Sequence, residues 1–106
     1  MQFFTDMDEY LELIKKDYAS FQKPISQYRQ EMIDIFNASI RYEVGSKYIK
    51  VITENSVHSF IVRNKTDKFK PGDILKAASW KAPAKNFARG NIFDKTFDRI
   101  RWTGAN

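Results

Sequence analysis

The chain has 106 residues and no cysteine, and it is 42% hydrophobic and 15% aromatic. This composition predicts a single folded domain over residues 1–106 and excludes disulfides and thiolate metal sites. The net charge of +5 is unevenly distributed, because residues 1–44 carry 5 − 8 = −3 and residues 45–106 carry 13 − 5 = +8. Such segregation is typical of a surface that binds phosphates or an acidic partner.

The chain lacks the apolar run of roughly 18 residues that a membrane span requires. Its first six residues are acidic where a signal peptide would be basic and then apolar. These features predict an intracellular protein without membrane association. No cofactor or metal is expected, since the sequence has no glycine-rich phosphate loop and only one histidine.

Residues 1–38 are predicted to form a helical hairpin. Thr5 is the expected N-cap of the first helix, which ends at Lys23 because the residue before a proline avoids the α region. Pro24 is then expected to open the second helix as its first residue. Apolar residues at helical spacing, which we expect to face the core, are Met7, Tyr10, Leu11, Ile14, Tyr18 and Phe21 in the first helix, and Ile25, Tyr28, Met32, Ile35 and Phe36 in the second.

The hydrophobic period then changes to two, which predicts an antiparallel β-meander of about four strands over residues 39–80. Gly45-Ser46 is a plausible two-residue hairpin loop of type II′. Strand alternation predicts that His58 and Phe60 share one face. The last strand of the meander is predicted to extend from Ile74 to Trp80.

Residues 81–106 are predicted to form an irregular basic segment. Within it, Asn86 to Gly90 is expected to make a helical turn that ends at the glycine. Phe97 to Trp102 is compatible with a closing strand or a short helix. The predicted fold class is therefore α+β, with a helical hairpin over residues 1–38, a small antiparallel β-meander over residues 39–80 and the irregular basic segment over residues 81–106.

Catalytic arrangements find little support in the sequence. His58 could pair with Ser56 or Ser59, but a strand supplies no third group to orient the imidazole. Carboxylate pairs at Asp6/Asp8 and Asp94/Asp98 are more simply helix caps or solvated faces. We therefore expect a protein that is not an enzyme.

A basic and aromatic stretch extends from Arg63 to Arg89, with eight basic residues and two acids. Cations bind a phosphate backbone through counterion release, and aromatic faces stack on unpaired bases at about 1–3 kcal/mol each. The alternative is structural: Trp80 would cap the sheet against the first helix, Phe87 would join the core, and the lysines would form a solvated rim. The candidate nucleic-acid-binding residues are Tyr48, Lys50, His58, Phe60, Lys76, Trp80, Lys81, Lys85, Phe87 and Arg89.

Four elements of the sequence form a recognisable series: K/R-Y-x-K-V at Lys47–Val51, S-V-H-x-F at Ser56–Phe60, K-A-A-x-W-K-A-P-A-K at Lys76–Lys85, and a following Arg89. This series resembles small bacteriophage proteins of unassigned function, and the match covers about half of the chain. The resemblance implies a viral origin and action in the cytoplasm of an infected bacterium, but it supplies no biochemical activity. The two amino-terminal helices match no motif of that group and could form a dimerisation or host-protein surface.

The leading prediction is a non-enzymatic module that binds single-stranded DNA or RNA with little sequence preference. The rival is an effector or inhibitor whose cationic face docks on an acidic host or defence protein. The opposite charges of the two halves of the chain also permit a homodimer. The nucleic-acid prediction requires that Trp80 is exposed and that the neighbouring cations share its face.

Overall fold

Two helices precede an antiparallel sheet in the computed structural model of the chain, which describes the backbone of residues 2–106 and the side chains of residues 5–106. The helices are α1 (Gln2–Ser20) and α2 (Gln27–Ser39). The strands are β1 (Arg41–Val44), β2 (Tyr48–Thr53), β3 (Ser56–Val62), β4 (Asp73–Lys76), β5 (Gly90–Asn91), β6 (Ile100–Arg101) and β7 (Gly104–Ala105). The sheet has the order β1-β2-β3-β4-β5, and β6 and β7 pair separately.

The predicted α+β class, with a helical hairpin followed by an antiparallel sheet, is confirmed. The sheet has five strands instead of about four, because Gly90 and Asn91 pair with Ile74 and Asp73 of β4. The helical turn that we predicted at Asn86 to Gly90 is therefore wrong. Among the described residues, neither helix is long and apolar enough to cross a membrane.

Helix α1 packs on the sheet through most of the apolar stripe that its sequence predicts. Phe21, the last residue of that stripe, lies beyond the helix and is 59% exposed. Met7, Tyr10, Ile14 and Tyr18 are all buried, and they form one core with the helix-facing side of the sheet. Thr5 is not the N-cap, because α1 begins at Gln2 and Thr5 lies inside the helix.

Helix α2 buries Phe36 of the stripe that we predicted, together with Ile33, but not the rest of that stripe. Ile33 and Phe36 are buried, whereas Tyr28 and Ile35 are 69% and 66% exposed. The N-cap is Ser26, whose hydroxyl oxygen accepts the N–H of Arg29 at 3.2 Å, so the helix begins three residues beyond Pro24. The Phe36 ring stacks on Tyr18 of α1 with the two centroids 4.1 Å apart, so packing between the two helices helps to select the buried face.

Strand β3 contains a β-bulge that changes the face on which His58 lies. Val51 of β2 pairs with Ser59, and Ile52 pairs with Val57, so His58 is an extra residue in the ladder. Such a residue breaks the alternation of side chains. His58 consequently lies on the helix side with Ser59, and our prediction that it shares a face with Phe60 is wrong.

The two faces of the sheet contribute to two different hydrophobic clusters. The helix side contributes Ile49, Val51, Ile61 and Ile74 to the main core. The far side carries a smaller cluster, formed by Phe60, Val62, Phe69 and Leu75, with Tyr48 partly buried against it. Neither helix of the described chain contributes to this far-side cluster, so its polar neighbours remain accessible.

Strand β4 ends at Lys76 and does not continue to Trp80. The chain instead folds back, with Ala77 bridging Pro83 and the Ala78 and Ser79 N–H groups both donating to the Ala82 carbonyl at 3.0 Å. Trp80 is thereby carried at the tip of a tight loop. Gly45 does not adopt the positive φ that a type II′ hairpin demands, and the loop between β1 and β2 includes Lys47.

Candidate nucleic-acid interface

Two adjoining depressions lie on the far side of the sheet, with volumes of about 380 and 480 Å³. Lys47 and Tyr48 line both of them, and we call the combined surface the basic groove. The first depression is also lined by Glu43, Val44, Gly45, Ser46, Lys50, Phe60 and Lys81. The second is also lined by Asn64, Lys65, Thr66, Asp67, Lys68, Phe69 and Lys85.

Strand alternation explains why Tyr48 and Lys50 reach this groove. Their neighbours on β2, Ile49 and Val51, point into the main core. Because successive side chains of a strand lie on opposite faces, Tyr48 and Lys50 lie on the far side. The predicted alternation of β2 therefore places both candidates correctly.

Backbone acceptors hold the surrounding loops together. The Asn64 side-chain amide donates to the Ser46 carbonyl at 2.6 Å, and the Arg63 N–H donates to the Lys47 carbonyl at 2.9 Å. The Lys68 ammonium donates to the Lys85 carbonyl at 2.8 Å. These bonds join the β1–β2 loop, the loop that follows β3 and the Trp80 loop region into one surface.

The groove concentrates positive charge in excess of its two carboxylates. It contains the six lysines 47, 50, 65, 68, 81 and 85 against Glu43 and Asp67, a net charge of 6 − 2 = +4. None of these six lysines forms an ion pair with a described residue. Elsewhere, Lys70 lies 2.8 Å from Asp94, and Lys95 lies 2.7 Å from both Asp6 and Glu9. Cations without a local counter-charge are available to an anionic ligand.

Trp80 borders the groove with an exposed ring. It is 47% exposed, and the Lys50 ammonium lies 4.8 Å from the centroid of its ring. Because Lys50 lies on the far side of the sheet, Trp80 does not cap the sheet against α1, and the structural alternative for this residue is wrong. Lys81, the next residue, lines the first depression.

Phe87 and Arg89 form a separate cluster. The Arg89 guanidinium lies 3.9 Å from the Phe87 ring centroid and donates to the Asn86 side-chain oxygen at 2.8 Å and the Phe87 carbonyl at 2.7 Å. Burial, and secondarily the charge of Arg99, lowers the pKa of Arg89. Arg89 is only 7% exposed. Its guanidinium therefore interacts with Asn86 and Phe87 and does not line the groove. Phe87 remains 43% exposed and has not joined the core.

The His58 side chain is buried and belongs to a chain of hydrogen bonds. Its Nε2 lies 2.6 Å from the Arg101 carbonyl, which can only accept, so Nε2 carries the proton and Nδ1 accepts the Ser59 hydroxyl at 2.8 Å. The Tyr10 hydroxyl in turn donates to Ser59 Oγ at 2.7 Å. Burial lowers the pKa of His58 to about 4. The imidazole is therefore neutral at neutral pH and inaccessible to a ligand.

Two further expectations about the site need correction. Phe60 is 2% exposed and forms the floor of the first depression, so it cannot stack on a base. Lys76 follows Leu75 at the end of β4 and, by alternation, shares the helix side with Ile74, away from the groove.

The groove thus brings together Tyr48, Lys50, Lys81 and Lys85 of the predicted set, with Trp80 beside them. The basic and aromatic groove residues that sequence reasoning left out of that set are Lys47, Lys65, Lys68 and Phe69. Lys47 lies in the β1–β2 loop, and the signal for the other three was present in the basic composition of the loop that follows β3. Its position against β2 depends on long-range contacts that composition does not reveal.

The side chains of residues 5–106 contain no group of three or more histidine, aspartate or glutamate residues that could hold a metal ion. A family model described as "Family of unknown function (DUF7717)" matches residues 5–105. The chain therefore belongs to this family. No curated protein and no solved structure matches it significantly.

Proposed function

We propose that this member of the DUF7717 family binds single-stranded nucleic acid through the basic groove, with little preference for sequence. The observation that carries the proposal is the set of six lysines without ion pairs among the described residues, gathered on one face around Tyr48. Each lysine that neutralises a phosphate releases a condensed counterion, which is the main driving force of non-specific binding.

Aromatic side chains support a single strand as the ligand. Trp80 has an exposed face beside Lys50, and Tyr48 lies between the two depressions with its ring edge-on to Phe60. Bases in a duplex are already stacked and paired, whereas unpaired bases can stack on such rings. The Asn64 amide in the groove donates to the Ser46 carbonyl and is therefore not free to read base edges.

We propose that the protein acts by binding and not by catalysis. Its only histidine is buried in contact with Ser59, which is itself fully buried, so this pair offers no surface to a substrate. The resemblance of Lys47–Phe60 and Lys76–Arg89 to small bacteriophage proteins supports action in the cytoplasm of an infected bacterium.

The test is a titration of fluorescently labelled oligo(dT), the matching RNA and a DNA duplex, followed by anisotropy at two salt concentrations. If all six groove lysines contact phosphate, the slope of log affinity against log salt is about −4 for a single strand, so affinity falls about 300-fold between 50 and 200 mM salt. An affinity that barely responds to salt would overturn the proposal.

A pair of triple variants separates the groove from overall charge. K47Q/K65Q/K81Q removes three groove lysines and should reduce the salt slope by about 2. K16Q/K23Q/K76Q removes the same charge from exposed lysines outside the groove and should leave the slope almost unchanged. Equal losses in both variants would mean that total charge, and not the groove, determines binding.

The rival partner, an acidic host or defence protein, would meet the same lysines. Capture of partners from extract with and without nuclease distinguishes it from nucleic acid. Partners that depend on Lys47, Lys65 and Lys81 and survive nuclease, together with no binding of any oligonucleotide, would favour the rival.

A further inference from the structure

Strand β1 leaves one edge of the sheet open. It is the terminal strand of the order β1-β2-β3-β4-β5, and Arg41, Glu43 and Val44 are all exposed. An exposed edge presents a row of unpaired N–H and C=O groups that can accept another strand. At the opposite edge of the sheet, by contrast, Asn91 of β5 already forms an antiparallel bridge with Thr96.

The register shows which backbone groups point outward. The Gly45 N–H donates to the Tyr48 carbonyl at 2.9 Å, and Glu43 and Arg41 occupy the equivalent positions opposite Lys50 and Ile52. In an antiparallel ladder, hydrogen-bonded and non-hydrogen-bonded residues alternate. Tyr42 and Val44 therefore direct their N–H and C=O groups away from β2, and no described residue bonds to them.

The sequence Ile40-Arg41-Tyr42-Glu43-Val44 is complementary to itself when it runs antiparallel about its centre. Arg41 then lies opposite Glu43, and Ile40 lies opposite Val44. Natural edges are protected against such pairing by like charges, proline or bulges. The charges here are opposite in sign and symmetrically placed, so they favour a second copy instead of excluding it.

We propose that β1 pairs antiparallel with β1 of a second copy about a two-fold axis at Tyr42, joining the two five-stranded sheets into one. The Tyr42 N–H of each subunit donates to the Tyr42 carbonyl of the other, and each Val44 N–H donates to an Ile40 carbonyl. Arg41 and Glu43 become directly opposed non-hydrogen-bonded pairs, which bring their side chains closest. Isologous pairing of this kind closes at two subunits.

This dimer has a consequence for the basic groove, although it does not depend on what the groove binds. Glu43 and Val44 line the first depression, so the pairing edge adjoins the groove. A two-fold axis perpendicular to the sheet keeps both far sides on the same side of the dimer. Ion pairing of Arg41 with Glu43 of the partner subunit also offsets one of the two carboxylates in the groove.

Charge reversal tests the pairing by sedimentation velocity without nucleic acid. The small contact area predicts a weak, micromolar dimer, so concentrations from about 1 to 200 μM are needed. R41E and E43R each place like charges opposite one another twice and should raise the dimer dissociation constant about tenfold or more. The double variant R41E/E43R restores opposite charges and should return the constant to within about threefold of the original.

Two further variants complete the experiment. V44P removes an outward N–H without breaking a bond to β2 and should also weaken the dimer. K47Q/K65Q/K81Q should leave dimerisation unchanged, so loss of nucleic-acid binding and loss of dimerisation can be told apart. Circular dichroism confirms that each variant is folded. A monomer over the whole concentration range, or a double variant no better than the single ones, would overturn the proposal.

Discussion

The buried imidazole of His58 makes folding stability depend on pH. Its pKa is about 4 in the folded protein, chiefly because burial disfavours the charged ring, against 6.5 in an exposed chain. The Arg101 carbonyl and the charge of Asp17 act in the opposite direction but do not outweigh burial. Between these two values the unfolded chain carries a proton that the folded protein does not.

The stabilisation from neutral His58 is therefore fully present above pH 6.5 and declines as the pH falls toward 4. One pKa unit corresponds to about 1.4 kcal/mol, so the shift implies a loss of about 3 kcal/mol over the whole window. At pH 5 the expected loss is about 2 kcal/mol, a large part of a typical stability of 5–15 kcal/mol.

Urea unfolding followed by tryptophan fluorescence at half-unit steps from pH 7.5 to 5 measures this slope. The window stops at pH 5 because aspartates and glutamates titrate mostly below it. The variant His58→Gln, which is less stable but has no imidazole, should unfold with a nearly constant free energy across the window. A flat profile for the original protein, or an equal slope in the variant, would refute the reasoning.

Three other outcomes follow from single contacts. Tyr10→Phe removes the hydroxyl that donates to Ser59 and should lower the free energy of unfolding by about 1 kcal/mol, as measured by urea denaturation. Trp80→Ala should weaken oligo(dT) binding by about 1–3 kcal/mol without changing the salt slope, whereas unfolding is almost unaffected because the ring is 47% exposed; an unchanged affinity would contradict its stacking role. Gly90→Ala places a Cβ against the Thr96 carbonyl, where the available space is far too small, and should destabilise the protein by about 3 kcal/mol in thermal or urea unfolding.

Local periodicity was sufficient to predict the buried face of an element where only one of its faces is clearly apolar. The stripe of α1 and the alternation of β2 required no knowledge of neighbours, and both Tyr48 and Lys50 lie on the face that the pattern predicts. In α2 the pattern was ambiguous, because apolar residues occur on two adjoining faces. Packing in the main core then buries Ile33 and Phe36, the latter against Tyr18 of α1, and leaves Ile35 exposed.

In the candidate site, too, the local sequence did not predict which side chains share a face. Lys81 and Lys85 were expected from a basic stretch that is continuous in sequence, and they line the groove. Arg89 belongs to the same stretch, but stacking on Phe87 turns it inward. A run of cations therefore predicts a charged surface without predicting which of its members share a face.

The order of apolar and polar residues along the chain determined its α+β class, the core face of α1 and the concentration of positive charge in the carboxy-terminal half. Those properties depend on near neighbours and on composition, which a sequence contains in full. Only the tertiary structure decided that a bulge turns His58 toward α1 and that lysines from the β1–β2 loop, the loop after β3 and the Trp80 region meet around Tyr48. The physical reason is that these arrangements arise from hydrogen bonds and packing between distant segments, such as those joining Asn64 to Ser46 and Lys68 to Lys85, whose partners no local pattern specifies.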